Sequence, residues 1–120
     1  MKKKFAKEKT INISNNSANI ELTISPDLFW FEGHFKSQPL LPGVAQLNWV
    51  IYYTQKYFDD SLCLLSVDVI KFQCPVIPED RLMLHLTWHE KIKKLEFIYT
   101  FILPNNRNKV ASTGTLTLCH

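Results

Sequence analysis

The sequence predicts an α+β domain, an antiparallel sheet curled around one central helix, and three observations carry that expectation. Only residues 44–58 have the length and pattern of a helix, and about five other segments alternate apolar and polar side chains. The helix candidate is also apolar nearly all round, which marks a buried helix. One flat face could not cover it, so the sheet must wrap it.

Taken in order, "MKKKFAKEK" concentrates charge and reads as a flexible basic arm over residues 1–10, with the folded domain over 11–120. "ANIELTI" (18–24) sets Ile20, Leu22 and Ile24 against Glu21 and Thr23, a half-buried strand. "SPDLFWFEGHFKSQPLLPG" (25–43) is an irregular connection rich in Pro, Gly and aromatics, and loops of that length in small domains are usually functional. "VAQLNWVIYYTQKYF" (44–58) follows, with Val44, Leu47, Ile51 and Phe58 on one stripe, and "DDS" ends it. Then come "LCLLSVDVIKFQCPV" (62–76), the turn "IPEDR", and "LMLHLTWHE" (82–90) with Leu82, Leu84, Leu86 and Trp88 on one face. "KLEFIYTFIL" (94–103) repeats the pattern with Leu95, Phe97, Tyr99 and Phe101; "PNNRN" turns the chain and "KVASTGTLTLC" (109–119) closes the sheet. A curled antiparallel sheet around a central helix is a hotdog fold.

Composition narrows the function. At 120 residues and 46% hydrophobic the chain is one domain with a real core, which excludes disorder. A net charge of +3, much of it in the terminal arm, gives no basic stripe for nucleic acid. Cys63, Cys74 and Cys119 are odd in number and far apart, so reduced thiols are expected, two of them in the core. His85, His89 and His120 show no ligand spacing, and no metal is expected. With no signal peptide and no apolar run of membrane-spanning length, the cytoplasm is the expected compartment and no membrane partner is expected.

Two segments carry a family likeness. "FEGHFKSQPLLPGVAQLNW" is similar to the pattern G-H-F-x-x-x-P-x-x-P-G-V followed by an acidic residue in the helix, and "VDVIKFQCPVIPEDRLMLHLTW" resembles a strand, an R-P-V-x-P-G-D turn and the next strand. Over roughly residues 18–120 the chain therefore resembles the hotdog-fold 3-hydroxyacyl-[acyl-carrier-protein] dehydratases, most closely the dehydratase-like proteins of aryl polyene gene clusters. The resemblance implies dimers with the active site at the interface, the loop histidine of one subunit facing the helix carboxylate of the other. His34 matches that histidine, and Gly43 matches the glycine whose amide polarises the thioester carbonyl. Asn48, fourteen residues past His34, falls where the carboxylate is expected.

The chemistry fits those residue types. Eliminating water from a 3-hydroxyacyl thioester needs a base for the α-proton, an acid for the leaving hydroxyl, and positive potential at the thioester oxygen. Histidine, with an unperturbed pKa of about 6.5, suits the first role, and a helix N-terminus suits the third. An asparagine orients by hydrogen bonding but has no titratable proton to give. Three readings follow: His34 performs both proton transfers in a weakened dehydratase; the protein binds acyl chains without turnover, as partner of a fully equipped homologue in a heterodimer; or Asn48 positions water for thioester hydrolysis. An aspartate replaced by design would leave the same residue. Phe35, Val44 and Trp49 are candidate substrate-binding walls. No cofactor is called for, because phosphopantetheine arrives with the substrate on an acyl carrier protein. Lys71, Arg81, Lys91, Lys93 and Lys94 are a candidate basic rim for that partner, although a solvated strand face explains them equally well.

Overall fold

Alternation in each strand points one set of side chains at a common core, and ladder registers carry that face across the sheet. The structure, a computed structural model, describes residues 5–28, 40–104 and 108–120. Strands β1 (Lys7–Ile13), β2 (Ser17–Thr23), β3 (Cys63–Phe72), β4 (Arg81–His89), β5 (Lys94–Ile102) and β6 (Asn108–Cys119) form one six-stranded sheet, ordered β1-β2-β4-β5-β6-β3. Every pairing is antiparallel. Helix α1 (Gly43–Tyr57) lies between β2 and β3 in the chain, and the hotdog architecture predicted from the sequence is present.

The boundary expected at residue 10 is not a structural one. β1 begins at Lys7, inside the expected arm, and pairs with β2 from Lys7↔Thr23 to Ile13↔Ala18. Tertiary contacts override the charged composition here. Glu8 accepts from Lys56 Nζ at 2.8 Å and from Tyr57 Oη at 2.5 Å, and the Phe5 ring lies 4.3 Å from that of Tyr52.

The helix buries Ala45, Gln46, Trp49, Val50, Tyr53 and Thr54, a stripe recurring at helical spacing against the sheet. The stripe expected from Val44, Leu47, Ile51 and Phe58 is instead its flank, with Val44 62% exposed and the other three half-buried. So many apolar residues surround α1 that hydropathy alone could not choose between the two stripes.

One row of paired residues positions the site. Ile20↔Leu84, Leu84↔Tyr99, Tyr99↔Ser112 and Ser112↔Phe72 carry a single line across the sheet on its core face. In the neighbouring row Phe97 pairs with Gly114, where an added Cβ would collide with the Phe97 ring and lie 2.8 Å from the Val69 carbonyl oxygen. Glycine there leaves room for the ring against β6.

Strand β3 is the unfinished edge. Among the described strands it pairs with β6 alone, and register shifts between Leu64 and Ser66 and between Val67 and Val69 twist it. Leu64, Val67 and Phe72 pair with Leu118, Leu116 and Ser112, buried residues of the core face, yet are 36%, 40% and 52% exposed. The cysteines depart from expectation too: none is a core residue, Cys63 being exposed and Cys74 and Cys119 half-buried. Cys63 and Cys119 face each other where the edge ladder ends, beyond the core.

Polar residues on β3, β5 and β6 fasten this edge. Lys94 Nζ, Thr117 Oγ1 and Ser66 Oγ donate to Asp68 at 2.7, 2.6 and 2.8 Å. Those bonds, the Lys94 one first, hold the Asp68 carboxyl down to about 2. The folded value lies below the unfolded one, so the cluster's support is complete above about pH 4 and is lost as pH falls through about 2. Asp68→Asn should accordingly flatten the acid limb of a thermal-melt series against pH; a slope equal to the wild type's would mean the exposed cluster contributes nothing measurable.

Candidate functional site

A recess opens at the start of α1, and its residues explain why. Pro42 occupies the N-cap with extended φ and ψ of −64° and 151°, no side chain caps the first turn, and no acidic residue lies within it. The positive end of the helix dipole is therefore left unneutralised by the helix's own side chains. Ala45 and Gln46 amides donate back to the Pro42 carbonyl, and among the described residues no backbone acceptor is set opposite the Gly43 or Val44 amide. Backbone bonds fasten the surroundings: Leu41 N–H donates to the Val76 carbonyl at 2.8 Å, and the Gln73 and Cys74 amides donate to that of Ala111.

Between these segments lies a cavity of about 340 Å³ lined by Leu40 to Gly43, Gln46, and Phe72 to Pro75. The Phe72 ring lies directly against Gly43, where an added Cβ would collide with it. Glycine at this position lets both the ring and any ligand approach the helix mouth. Beneath the mouth, Tyr99 Oη donates to the Gln46 carbonyl and Ser112 Oγ to Gln46 Oε1, each at 2.7 Å. Burial pushes the Tyr99 phenol well above its usual range, so it stays a neutral donor.

Within one protomer only part of the predicted set meets here. Gly43 lines the cavity. Asn48 lies on α1 five residues farther on, about 140° around the helix, exposed and on the side away from the core stripe. Val44 shares that outward side, while Trp49 is fully buried in the core and is not a wall of the cavity. His34 and Phe35 lie outside the described residues. Sequence reasoning passed over Gln46, Phe72 and Cys74 as lining residues and Ser112 beneath them. A polar Gln46 in the true core stripe was the available signal, hidden by the choice of the flanking stripe.

The basic rim is largely committed to the sheet. Arg81 pairs with Glu21 at 3.2 Å, Lys93 with Glu90 at 2.6 Å and Lys94 with Asp68 at 2.7 Å. Acidic residues on β2, on β3 and in the turn after β4 take these charges. His85 bonds Asn19 through Nδ1, and burial lowers its pKa; His120 lies 3.2 Å from Asp59. Among the described residues no three potential ligands gather around a metal position, and no helix is long and apolar enough to cross a membrane.

Comparison with known proteins agrees with the fold. A family model described as ApeI-like, ApeI dehydratase, matches residues 10–115. The dehydratase heterocomplex ApeI:P from Xenorhabdus doucetiae is similar in structure with a TM-score of 0.88 and 37% identity, over 96% of this chain and 98% of that one. An uncharacterized protein from Erwinia carotovora subsp. atroseptica matches with a TM-score of 0.85 and 37% identity, over 96% of each chain. The 3-hydroxyacyl-[acyl-carrier-protein] dehydratase FabZ of Sorangium cellulosum (strain So ce56) is 37% identical over 65 residues, 47% of this chain and 42% of that protein. The matched stretch thus spans less than half the length of that curated relative.

Proposed function

Because the chain belongs to the ApeI-like dehydratase family, we propose that it eliminates water from 3-hydroxyacyl thioesters borne by an acyl carrier protein. The observation that carries this reading is the uncapped mouth of α1, with Gly43 opening onto a largely apolar cavity. A thioester oxygen placed there meets an N–H with no acceptor among the described residues and the positive end of a helix dipole, which hold the charge that develops as the α-proton leaves. His34 takes that proton, the C–H electrons form the new double bond, and the C–O bond to the β-hydroxyl breaks. The departing hydroxyl regains the proton from the imidazolium and leaves as water. Asn48 orients the hydroxyl but supplies no proton. No cofactor enters, since the pantetheine arm arrives with the substrate.

Asn48 and the Gly43 cavity lie on different sides of α1, so the full set of groups assembles only when a second hotdog chain supplies the other half. That chain is either a second copy or a related protein. The heterodimer reading has its own support, because ApeI:P is a heterocomplex and an amide stands where the acid is expected.

Incubating the purified protein with a 3-hydroxyacyl pantetheine thioester and following enoyl formation tests the proposal. Asn48→Asp should raise turnover about 10²-fold by restoring the acid. Enoyl formation only after a related hotdog chain is added establishes the heterodimer form. Release of free thiol without enoyl product would replace dehydration with hydrolysis.

A further inference from the structure

One polar side chain at the cavity has no task in the elimination drawn above. Gln46 is only 3% exposed, lies in the core stripe of α1, and lines the cavity together with Gly43. Its placement is fixed from two strands. Ser112 Oγ on β6 donates to Oε1 at 2.7 Å, and Tyr99 Oη on β5 donates to the backbone carbonyl at 2.7 Å. These two partners are themselves opposite each other in the ladder.

With Oε1 turned to Ser112, the two N–H groups on Nε2 point the other way. Among the described residues none accepts from them. Nε2 is not among the described atoms sealed from solvent without a partner, so it keeps contact with the cavity that Gln46 lines, where a bound acceptor can take up these donors. The position supplies the direction: Gln46 lies three residues past Gly43, the next turn on the same side of the helix, and helical side chains lean toward the N-terminus. Its amide is thereby brought toward the same mouth as the Gly43 N–H.

We infer that Gln46 Nε2 is a second hydrogen-bond donor to the thioester carbonyl oxygen, beside the Gly43 amide, with Ser112 holding the carboxamide in the donating orientation. The inference rests on the reading in which this cavity receives an acyl thioester. A donor-only amide face suits a carbonyl oxygen whose negative charge grows in the transition state, and it makes or breaks no covalent bond itself. A purely structural Gln46 would tie α1 to β6 and leave the ligand's carbonyl untouched.

Carbonyl infrared spectroscopy separates the two. A 2-enoyl pantetheine thioester labelled with ¹³C at the carbonyl is bound to the protein in the assembly in which it purifies. Its stretch should move to lower frequency on binding. In Gln46→Leu/Ser112→Ala, which removes both partners together, much of that displacement should vanish, and kcat should fall about 10²–10³-fold with KM little changed. Ser112→Ala alone keeps the donor and should keep most of the displacement. Gln46→Met gives the same readout if the double variant does not fold. An unchanged bound frequency in the Gln46 variants would overturn the second donor while leaving the thioester reading intact. Wild-type protein that binds no thioester, or binds it with no displacement, would overturn both. His34→Ala should lose turnover yet retain the displacement, which separates the base from the donors.

Discussion

His34→Ala is expected to bring dehydration down to background, a loss of about 10²–10⁴-fold, while binding of the enoyl product changes far less. The size of the effect follows from the residue at position 48. Where a carboxylic acid shares the work, losing the base leaves one competent proton carrier. Here the amide of Asn48 has no proton to give, so in the proposed reaction one imidazole carries the proton in both directions. The described residues of the cavity offer no second imidazole and no carboxylate: the lining consists of apolar side chains, two glutamines, a thiol and backbone. Steady-state kinetics on a 3-hydroxyacyl pantetheine thioester, with the enoyl product titrated separately, gives both quantities. A rate within about tenfold of wild type would put the base elsewhere and remove His34 from the mechanism.

The fold could be read because its core follows short-range periodicity. Ile20, Leu22, Leu82, Leu84, Leu86, Leu95, Phe97 and Tyr99 were all marked by alternation, and all are buried. β1 was missed for the opposite reason. Its lysines and Glu8 look solvated in isolation, and it is the distant Lys56 and Tyr57 that give Glu8 partners. The site was legible in part. The Pro-Gly entry to α1 announced a helix mouth, and that mouth is there, without a side-chain cap. Gln46 and Ser112 stayed hidden because their pairing spans 66 residues of sequence and no local pattern records it. Phe72 was hidden likewise, since its position against Gly43 depends on the row of partners running from Ile20 across four neighbouring strands.

The exposed face of β3 supports the second large effect: Val67→Lys should convert the assembled protein to monomer and abolish turnover with it. Val67 pairs with the buried Leu116 and so faces the core side of the sheet, yet it is 40% exposed. Leu64 and Phe72 flank it on the same face, and Leu65, at a register shift, is 65% exposed. A long apolar edge strand of this kind is a site for pairing with another chain rather than a stable surface. The same strand carries Phe72 to the Gly43 mouth, so this exposed apolar edge runs into the cavity, as the proposed two-chain site requires. A lysine at 67 would be buried without a partner in the assembly, at a cost of about 3–5 kcal/mol, which is roughly 10²-fold or more in Kd. Thr115→Lys, on the outer face of β6, should leave assembly and rate unchanged. Sedimentation equilibrium and the enoyl assay on the same samples decide the matter. If Val67→Lys stays assembled and active, β3 is not the joining edge; if it is monomeric but fully active, one chain holds every group the reaction needs and the shared site is wrong.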